Sequence, residues 1–195
     1  KFLLPMMISV IFQQFYNMVD SVIVGQKLGT DALAAVGSTG SINFMILGFC
    51  IGICNGFAIP VAQAYGAKDF KALKAYIINS IWSSVALAAV ITVAVSIFTM
   101  QILKALRTPS NIIDDAYIYI FIIFLGIPAT FLYNLTAGIL RSLGDSITPV
   151  IFLVGSSIVN IILDLILVVP MGVAGAAVAT VASQAVSGII CTIYM

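Results

Sequence analysis

Two aspartates lie inside long apolar runs of this chain, and they are the residues best placed to do chemistry. Asp164 follows Asn160 by four residues and Ser156 by eight, so in a helix the three side chains share one face. Asp20 lies in an earlier apolar run. A carboxylate at the centre of a bilayer costs about 2.5–3.5 kcal/mol on insertion scales, and a membrane protein that bears this cost usually uses the group.

The chemistry of these positions favours a cation or a proton. Every Lys and Arg that can be assigned a place lies in a loop or at a helix end, so neither Asp20 nor Asp164 has a basic partner at its depth. Either the acids hold protons or a cation neutralises them, and carboxylate, amide and hydroxyl oxygens suit a hard cation. The structural alternative is that each acid is protonated and hydrogen-bonded across helices, worth under about 2 kcal/mol.

Composition supports an intramembrane setting. The 195 residues are 62% hydrophobic and 8% charged, with a mean hydropathy of +1.21, whereas soluble domains are about 25% charged. The absence of His excludes a His proton relay or a His-based metal site, and the net charge of +1 gives no reason to expect nucleic acid as a partner. The three cysteines lie in apolar runs and are expected to pack there.

Six apolar runs are each long enough to span a bilayer, so we predict an all-α, multi-pass membrane protein. The predicted helices are 2–25, 32–62, 75–103, 116–140, 147–169 and 173–195, with polar loops at 63–74 and 104–115. Both ends of the chain are apolar, so we expect a segment of a longer protein. If the amino terminus is cytoplasmic, five Lys and Arg fall on that side and three on the other, and this bias favours that orientation in the plasma membrane.

Polar stripes on several of these helices must face one another or a water-filled cavity, because an unsatisfied polar group in lipid is costly. The additional polar residues predicted to line such a cavity are Gln13, Asn17, Asn134 and Gln184. Pro5 and Pro128 could act as hinges, although a static kink is the simpler interpretation. Two stripes of small residues are expected to allow close helix packing. They are Gly48, Gly52 and Gly56, and Gly175, Ala179 and Ser183.

Several motifs, in order along the whole chain, resemble the multidrug and toxic compound extrusion (MATE) family of transporters. They are NMVDSVIVG at 17–25, GTDALAAVG at 29–37, PVAQAYGAKD at 60–69, GILRSLGDSITP at 138–149, the Asn160-x-x-x-Asp164 pair, and GVAGAAVAT at 172–180. No single motif is decisive, but their order and spacing are specific together.

This resemblance implies one six-helix lobe of a twelve-helix, two-lobe transporter. The chain would be the amino-terminal lobe, partnered by a carboxy-terminal lobe of the same protein in the lipid bilayer. Such proteins exchange Na+ or H+ for small organic, often cationic, compounds by alternating access, without a further cofactor and without enzymatic chemistry. Carried over position by position, the resemblance implies a cation site of Asp20, Asn160, Asp164 and Thr180, with a bend of the first helix at Pro5.

Three other functions are alternatives for a bundle of this kind. A lipid-linked oligosaccharide flippase of the same superfamily is expected to line its cavity with Arg or Lys for a pyrophosphate, which the interior of this chain lacks. An intramembrane aspartyl protease needs a Gly-x-Gly-Asp motif. The nearest stretch, Ser142-Leu143-Gly144-Asp145, lacks the first glycine and lies in a loop. A channel-forming or purely structural bundle would differ from an antiporter by the absence of counter-transport.

Overall fold

The computed structural model describes residues 3–195, apart from the side chains of residues 3–10, 12, 13, 16 and 17. The described elements are all helices, as predicted, and they are α1 (Leu3–Leu28), α2 (Thr30–Gly66), α3 (Phe70–Ala105), α4 (Ile113–Leu125), α5 (Ile127–Ser142), α6 (Thr148–Met171) and α7 (Val173–Tyr194). Because the backbone hydrogen bonds of a helix are internal, helices are the natural solution for such an apolar chain in lipid.

Four of these helices, α2, α3, α6 and α7, are individually long and apolar enough to cross a membrane. Taken together, α4 and α5 are also long and apolar enough to cross a membrane, although the two helices are bent by 44° relative to one another. Helix α1 packs against α6 and runs alongside these spans. The arrangement agrees with a six-span lobe in which one span is broken.

The broken span was predicted as one helix over 116–140 with a kink at Pro128, and the structure shows two helices that meet at Gly126. The break lies at Gly126, where a Cβ atom would collide with Val181 of α7, so the close passage of α7 requires glycine there. Pro128 lies in the first turn of α5, where its missing N–H costs least. Pro128 therefore starts a new helix after the bend instead of kinking a continuous one.

The turn between α2 and α3 is also shorter than the predicted polar loop at 63–74. Only residues 67–69 separate the two helices, with Lys68 in the left-handed region at a φ of 56°. Asp69 caps α3 by accepting a hydrogen bond from the amide of Ala72 at 3.0 Å. The polar residues of the predicted loop therefore extend the helices beyond the apolar region, so that α2, with 37 residues, is about 56 Å long.

Close packing of small residues is found on α7 and not on α2. A Cβ atom at Gly175 would overlap the backbone of Leu167, so this glycine lets the α6–α7 hairpin close tightly. In contrast, no atom lies within 4 Å of the Cβ positions of Gly48, Gly52 and Gly56. The expectation that this stripe packs inside the lobe is wrong, because α2 turns its other face, which includes Cys50 and Cys54, into the core.

Candidate functional site

A cavity of about 430 Å³ lies inside the bundle, and its α6 and α7 lining residues come from the middle of those helices. Its volume is within the range of small-molecule sites, which are about 300–1,000 Å³. Its wall combines hydroxyl and amide groups with apolar and aromatic side chains from α1, α2, α4, α5, α6 and α7. The predicted residues that line it are Asp20, Asn134, Asn160, Thr180 and Gln184.

The two intramembrane acids lie beside this cavity on packed helices. Asp20 of α1 lines the cavity and is 7% exposed, whereas Asp164 of α6 is completely buried behind the wall. The packing of α1 against α6 brings the two carboxyl groups within electrostatic range of each other. The sequence placed these acids far apart in the chain, and the helix packing makes them neighbours.

Asn160 connects this acid pair to α7. Its Nδ2 donates to Thr180 Oγ1 at 3.5 Å, which turns the amide oxygen away from Thr180. Asn160 is 1% exposed and lies one helical turn before Asp164. The four residues that the family resemblance selects therefore lie at the junction of α1, α6 and α7.

This junction is rich in hydrogen-bond acceptors that lack donors. Asp20 Oδ1, Asn160 Oδ1 and both carboxyl oxygens of Asp164 are buried and have no hydrogen-bond partner. Burying an unsatisfied polar group costs about 1–3 kcal/mol, and more when it is charged. A proton would convert a carboxylate into a donor, whereas Na+ would be bound directly by these oxygens. This set of oxygens therefore fits either a proton or Na+.

The remaining predicted cavity residues have local partners or lie outside the description. Gln184 Oε1 accepts from Thr130 Oγ1 at 2.7 Å, which joins α7 to α5. Asn134 Nδ2 donates to the carbonyl oxygen of Thr130 at 2.8 Å. The side chains of Gln13 and Asn17, and that of the possible hinge Pro5, lie outside the described residues.

Sequence reasoning missed residues on the opposite wall of the cavity. Asn43 of α2 lines the cavity, and its Oδ1 is buried without a partner. Its signal was present in the sequence, as a lone amide in a long apolar run. Gly37 and Gly40 of α2 also line the cavity, and their Cβ positions face open space. Their role as cavity wall depends on which face α2 turns inward, which its sequence does not specify.

The cavity wall and the loop aspartate argue against two of the alternatives. Among the described cavity-lining residues there is no Lys or Arg to hold a pyrophosphate. Asp145 lies outside the spans, where its Oδ1 accepts from the amides of Ile147 at 3.2 Å and Thr148 at 3.0 Å. Hydrogen bonds from the side chain and amide of Thr148 lower the pKa of the Asp145 carboxyl below its ordinary value. Asp145 is therefore a helix-capping residue.

Comparison with known proteins adds independent information. The MatE family model matches residues 5–166 of this chain. The chain belongs to the MatE family. Among MatE relatives, probable multidrug resistance protein YoeA of Bacillus subtilis (strain 168) is 37% identical, and the match covers 100% of this chain and 43% of YoeA. Multidrug export protein MepA of Staphylococcus haemolyticus (strain JCSC1435) is 29% identical over 99% of this chain and 43% of its own length.

Solved MatE structures share the fold described here. An outward-facing multidrug resistance MATE family transporter of the MOP superfamily superposes with a TM-score of 0.91 at 27% identity, over 98% of this chain and 43% of that protein. A MATE crystal structure in the bent conformation gives a TM-score of 0.91 at 28% identity, over 97% of this chain and 43% of that protein. The chain thus spans less than half the length of the relatives it matches.

Proposed function

We propose that this chain is the cation-coupling lobe of a membrane antiporter that exports small organic compounds in exchange for Na+ or H+. The observation that supports this proposal is the set of unpartnered buried oxygens of Asp20, Asn160 and Asp164 beside the cavity. Hard cations and protons are the species that such oxygens bind. The proposed partner is a second lobe of the same protein, by analogy with the longer relatives.

Coupling would follow from charge neutralisation between α1 and α6. When both carboxylates are charged, their repulsion across a low-dielectric contact opposes close packing of the two helices. A bound Na+ or proton removes that repulsion and favours the packed arrangement. Because Asp20 and Asn160 also line the cavity, ion occupancy changes the charge and shape of the wall that an organic compound contacts. Two conformations with different affinities for the ion are sufficient for exchange by alternating access.

The cavity favours neutral or cationic organic compounds. Its described wall has an acid, several amides and hydroxyls, and apolar groups such as Phe44 and Leu47, without a described basic residue. The names of the relatives indicate different transported compounds. One relative is named an FAD transporter, from Shewanella oneidensis, and is 28% identical over 94% of this chain and 42% of its own length. The substrate class is therefore proposed from the wall of this cavity.

The proposed location is the plasma membrane, with the amino terminus in the cytoplasm. This orientation places the α2–α3 turn and the end of α5 inside. The basic residues that would then be cytoplasmic are Lys1, Lys68, Lys71, Lys74 and Arg141. The smaller set outside would be Lys27, Lys104 and Arg107. The excess agrees with the positive-inside rule.

The test is transport by the intact protein in vesicles with an imposed Na+ or pH gradient. Asp20→Asn and Asp164→Asn should each abolish gradient-driven export while the protein remains folded and inserted. Asp115→Asn is the matched control, because Asp115 is an exposed acid at the start of α4. Undiminished export by either of the first two variants would contradict the site, and downhill flux without exchange would favour a channel.

A further inference from the structure

Two amide side chains in the cavity wall are oriented by the same residue, Thr130 of α5. The main-chain carbonyl oxygen of Thr130 accepts a hydrogen bond from Asn134 Nδ2 at 2.8 Å, one turn further along α5. The hydroxyl of Thr130 donates to Gln184 Oε1 of α7 at 2.7 Å. All three residues line the cavity. Thr130 is 5% exposed, so the residue that orients the two amides is itself fixed by the packing of α5 against α7.

The chemistry of each hydrogen bond determines which end of the amide faces Thr130. A main-chain carbonyl can only accept, so Asn134 turns its nitrogen toward Thr130 and its Oδ1 away. The Thr130 hydroxyl has another acceptor nearby, the carbonyl oxygen of Gly126, but at 3.5 Å. The 2.7 Å contact with Gln184 has the usual length for a hydroxyl that donates to a carbonyl oxygen. Gln184 therefore turns its oxygen toward Thr130 and its Nε2 away.

The two remaining ends of these amides have opposite hydrogen-bonding character. Gln184 Nε2 carries two N–H donors, whereas Asn134 Oδ1 is an acceptor. Neither atom has a hydrogen-bond partner within the part of the chain that the structure describes. Both residues are partly exposed and line the cavity, so a molecule in the cavity can contact these atoms. The wall therefore offers one donor and one acceptor, both oriented through Thr130.

A bound compound complements this pair when it carries a carbonyl oxygen and an N–H group side by side. Primary carboxamides, lactams and ureides have this arrangement, whereas ketones and esters lack the donor. A carboxylate also lacks the donor, and the described wall contains the Asp20 carboxyl group without a basic residue to balance another negative charge. A site that hydrogen-bonds a polar group rejects analogues without it, because its own buried polar groups are then unpaired.

We propose that the Asn134–Gln184 pair selects cargo of the carboxamide type. Gln184 Nε2 donates to the carbonyl oxygen of the exported compound, and Asn134 Oδ1 accepts a hydrogen bond from its N–H group. Thr130 is a positioning residue, because it determines the direction in which each amide points. The inference rests on the proposed export function, in which this cavity binds the cargo, and it adds the polar group by which cargo is selected.

The first test is binding of three compounds to the intact protein in detergent, measured by calorimetry without an ion gradient. The compounds are N-benzylpyridinium cations that carry a carbamoyl, an acetyl or an isopropyl group at the same ring position. These groups have the same number of heavy atoms, but acetyl lacks the N–H and isopropyl lacks both polar groups. The wild-type affinity should fall in that order, about fivefold for each hydrogen bond removed. Equal affinities, or no binding of any compound by the folded protein, would overturn the proposal.

The second test assigns each difference in affinity to one amide. Gln184→Leu should remove the difference between the acetyl and isopropyl compounds, and Asn134→Leu the difference between the carbamoyl and acetyl compounds. Unchanged differences in these variants would refute the assignment. Gln101→Leu, at an exposed glutamine of α3 outside the cavity, is the matched control and should leave both differences unchanged.

Substitutions of Thr130 test its positioning role while both amides stay in place. Thr130→Val should reduce only the difference between the acetyl and isopropyl compounds, since the carbonyl that orients Asn134 belongs to the main chain. Thr130→Ser keeps the hydroxyl and should retain that difference. This pair also provides the measurement for Gln184 if Gln184→Leu does not fold. An equal loss of affinity for all three compounds in Thr130→Val would contradict the positioning role.

Export by the intact protein in vesicles separates this inference from the proposed function. If the three compounds bind equally while a Na+ or pH gradient still drives export, the selection by the amide pair is refuted and the export function stands. If the affinities differ as expected but neither gradient drives export, the proposed function is refuted and the amide pair remains a ligand site.

Discussion

Replacing Asp164 by leucine is expected to stabilise the protein and to abolish the proposed ion coupling. Asp164 is completely buried, and neither of its carboxyl oxygens has a hydrogen-bond partner. Leucine has the same number of side-chain heavy atoms, so the substitution removes unsatisfied polar atoms without leaving a large cavity. Each unsatisfied buried polar group costs about 1–3 kcal/mol, so the free energy of unfolding without a bound ion should rise by about 2 kcal/mol or more.

The sign of this effect distinguishes an ion site from a structural hydrogen bond. If Asp164 held the helices together through a partner, its removal would leave that partner unpaired and destabilise the fold. The described residues provide no such partner. Under the proposed function, the buried carboxyl group therefore costs stability until an ion or proton binds. The wild-type protein should gain about 2.7 kcal/mol when the coupling ion is present at 100 times its dissociation constant.

The assay is equilibrium unfolding of the intact protein in detergent, with Na+ varied at fixed pH and with pH varied at fixed ionic strength. Wild type should respond to one of the two, which identifies the coupling ion, and Asp164→Leu should not show that response. Asp115→Asn controls for a general effect of removing an acid. A variant that is less stable than ion-free wild type, or that keeps the ion response, would refute the reasoning.

Three further predictions concern the positioning of the site. Gly175→Ala should destabilise the protein by about 1–3 kcal/mol in the same unfolding assay, because the new Cβ atom would meet the α6 backbone. The control is Gly155→Ala, whose Cβ position is open and which should be neutral or stabilising. Thr130→Val removes the hydrogen bond to Gln184. A double-mutant cycle with Gln184→Leu should give a coupling energy of about 0.6–1.7 kcal/mol, and a coupling energy of zero would contradict this contact. Because the pKa of Asp145 is lowered in the folded state, its capping contribution to stability is present above the ordinary carboxyl pKa and is lost as the pH falls through the lower folded value. The difference in unfolding free energy between wild type and Asp145→Ala should therefore shrink in acid. A pH-independent difference would contradict the capping role.

The physical cost of burying polar groups explains why much of the site could be predicted from sequence. Asp20, Asn160 and Asp164 stand out because polar groups in apolar runs must face the interior, and the structure places them beside one cavity. Their role as an ion site stays a prediction. Thr180 belongs to a polar stripe with Gln184 on the last helix, but its assignment to the ion site came only from the family resemblance. Its hydrogen bond with Asn160 depends on the α6–α7 packing.

The features that could not be predicted depend on contacts between distant segments. Gly126, where the span breaks, packs against the side chain of Val181 from α7, a contact between distant segments, whereas a local reading of the sequence favoured a kink at Pro128. The position of Gly48 on the cavity wall, away from packed neighbours, depends on which face of α2 contacts α5. Periodicity identifies that a face exists, but the choice between faces is made by the rest of the bundle.

The glycines that line the cavity have a consequence for recognition. At Gly37, Gly40 and Gly48, the α2 wall offers bare backbone with open space where side chains would stand. These three positions have no rotamers to immobilise, so a guest molecule lying against them avoids the ordering cost of about 0.5–1.5 kcal/mol for each flexible side chain fixed on binding. Guests of different outline can therefore lie on the same surface with similar entropy. Selection among them would come from the amides and acid on the facing helices.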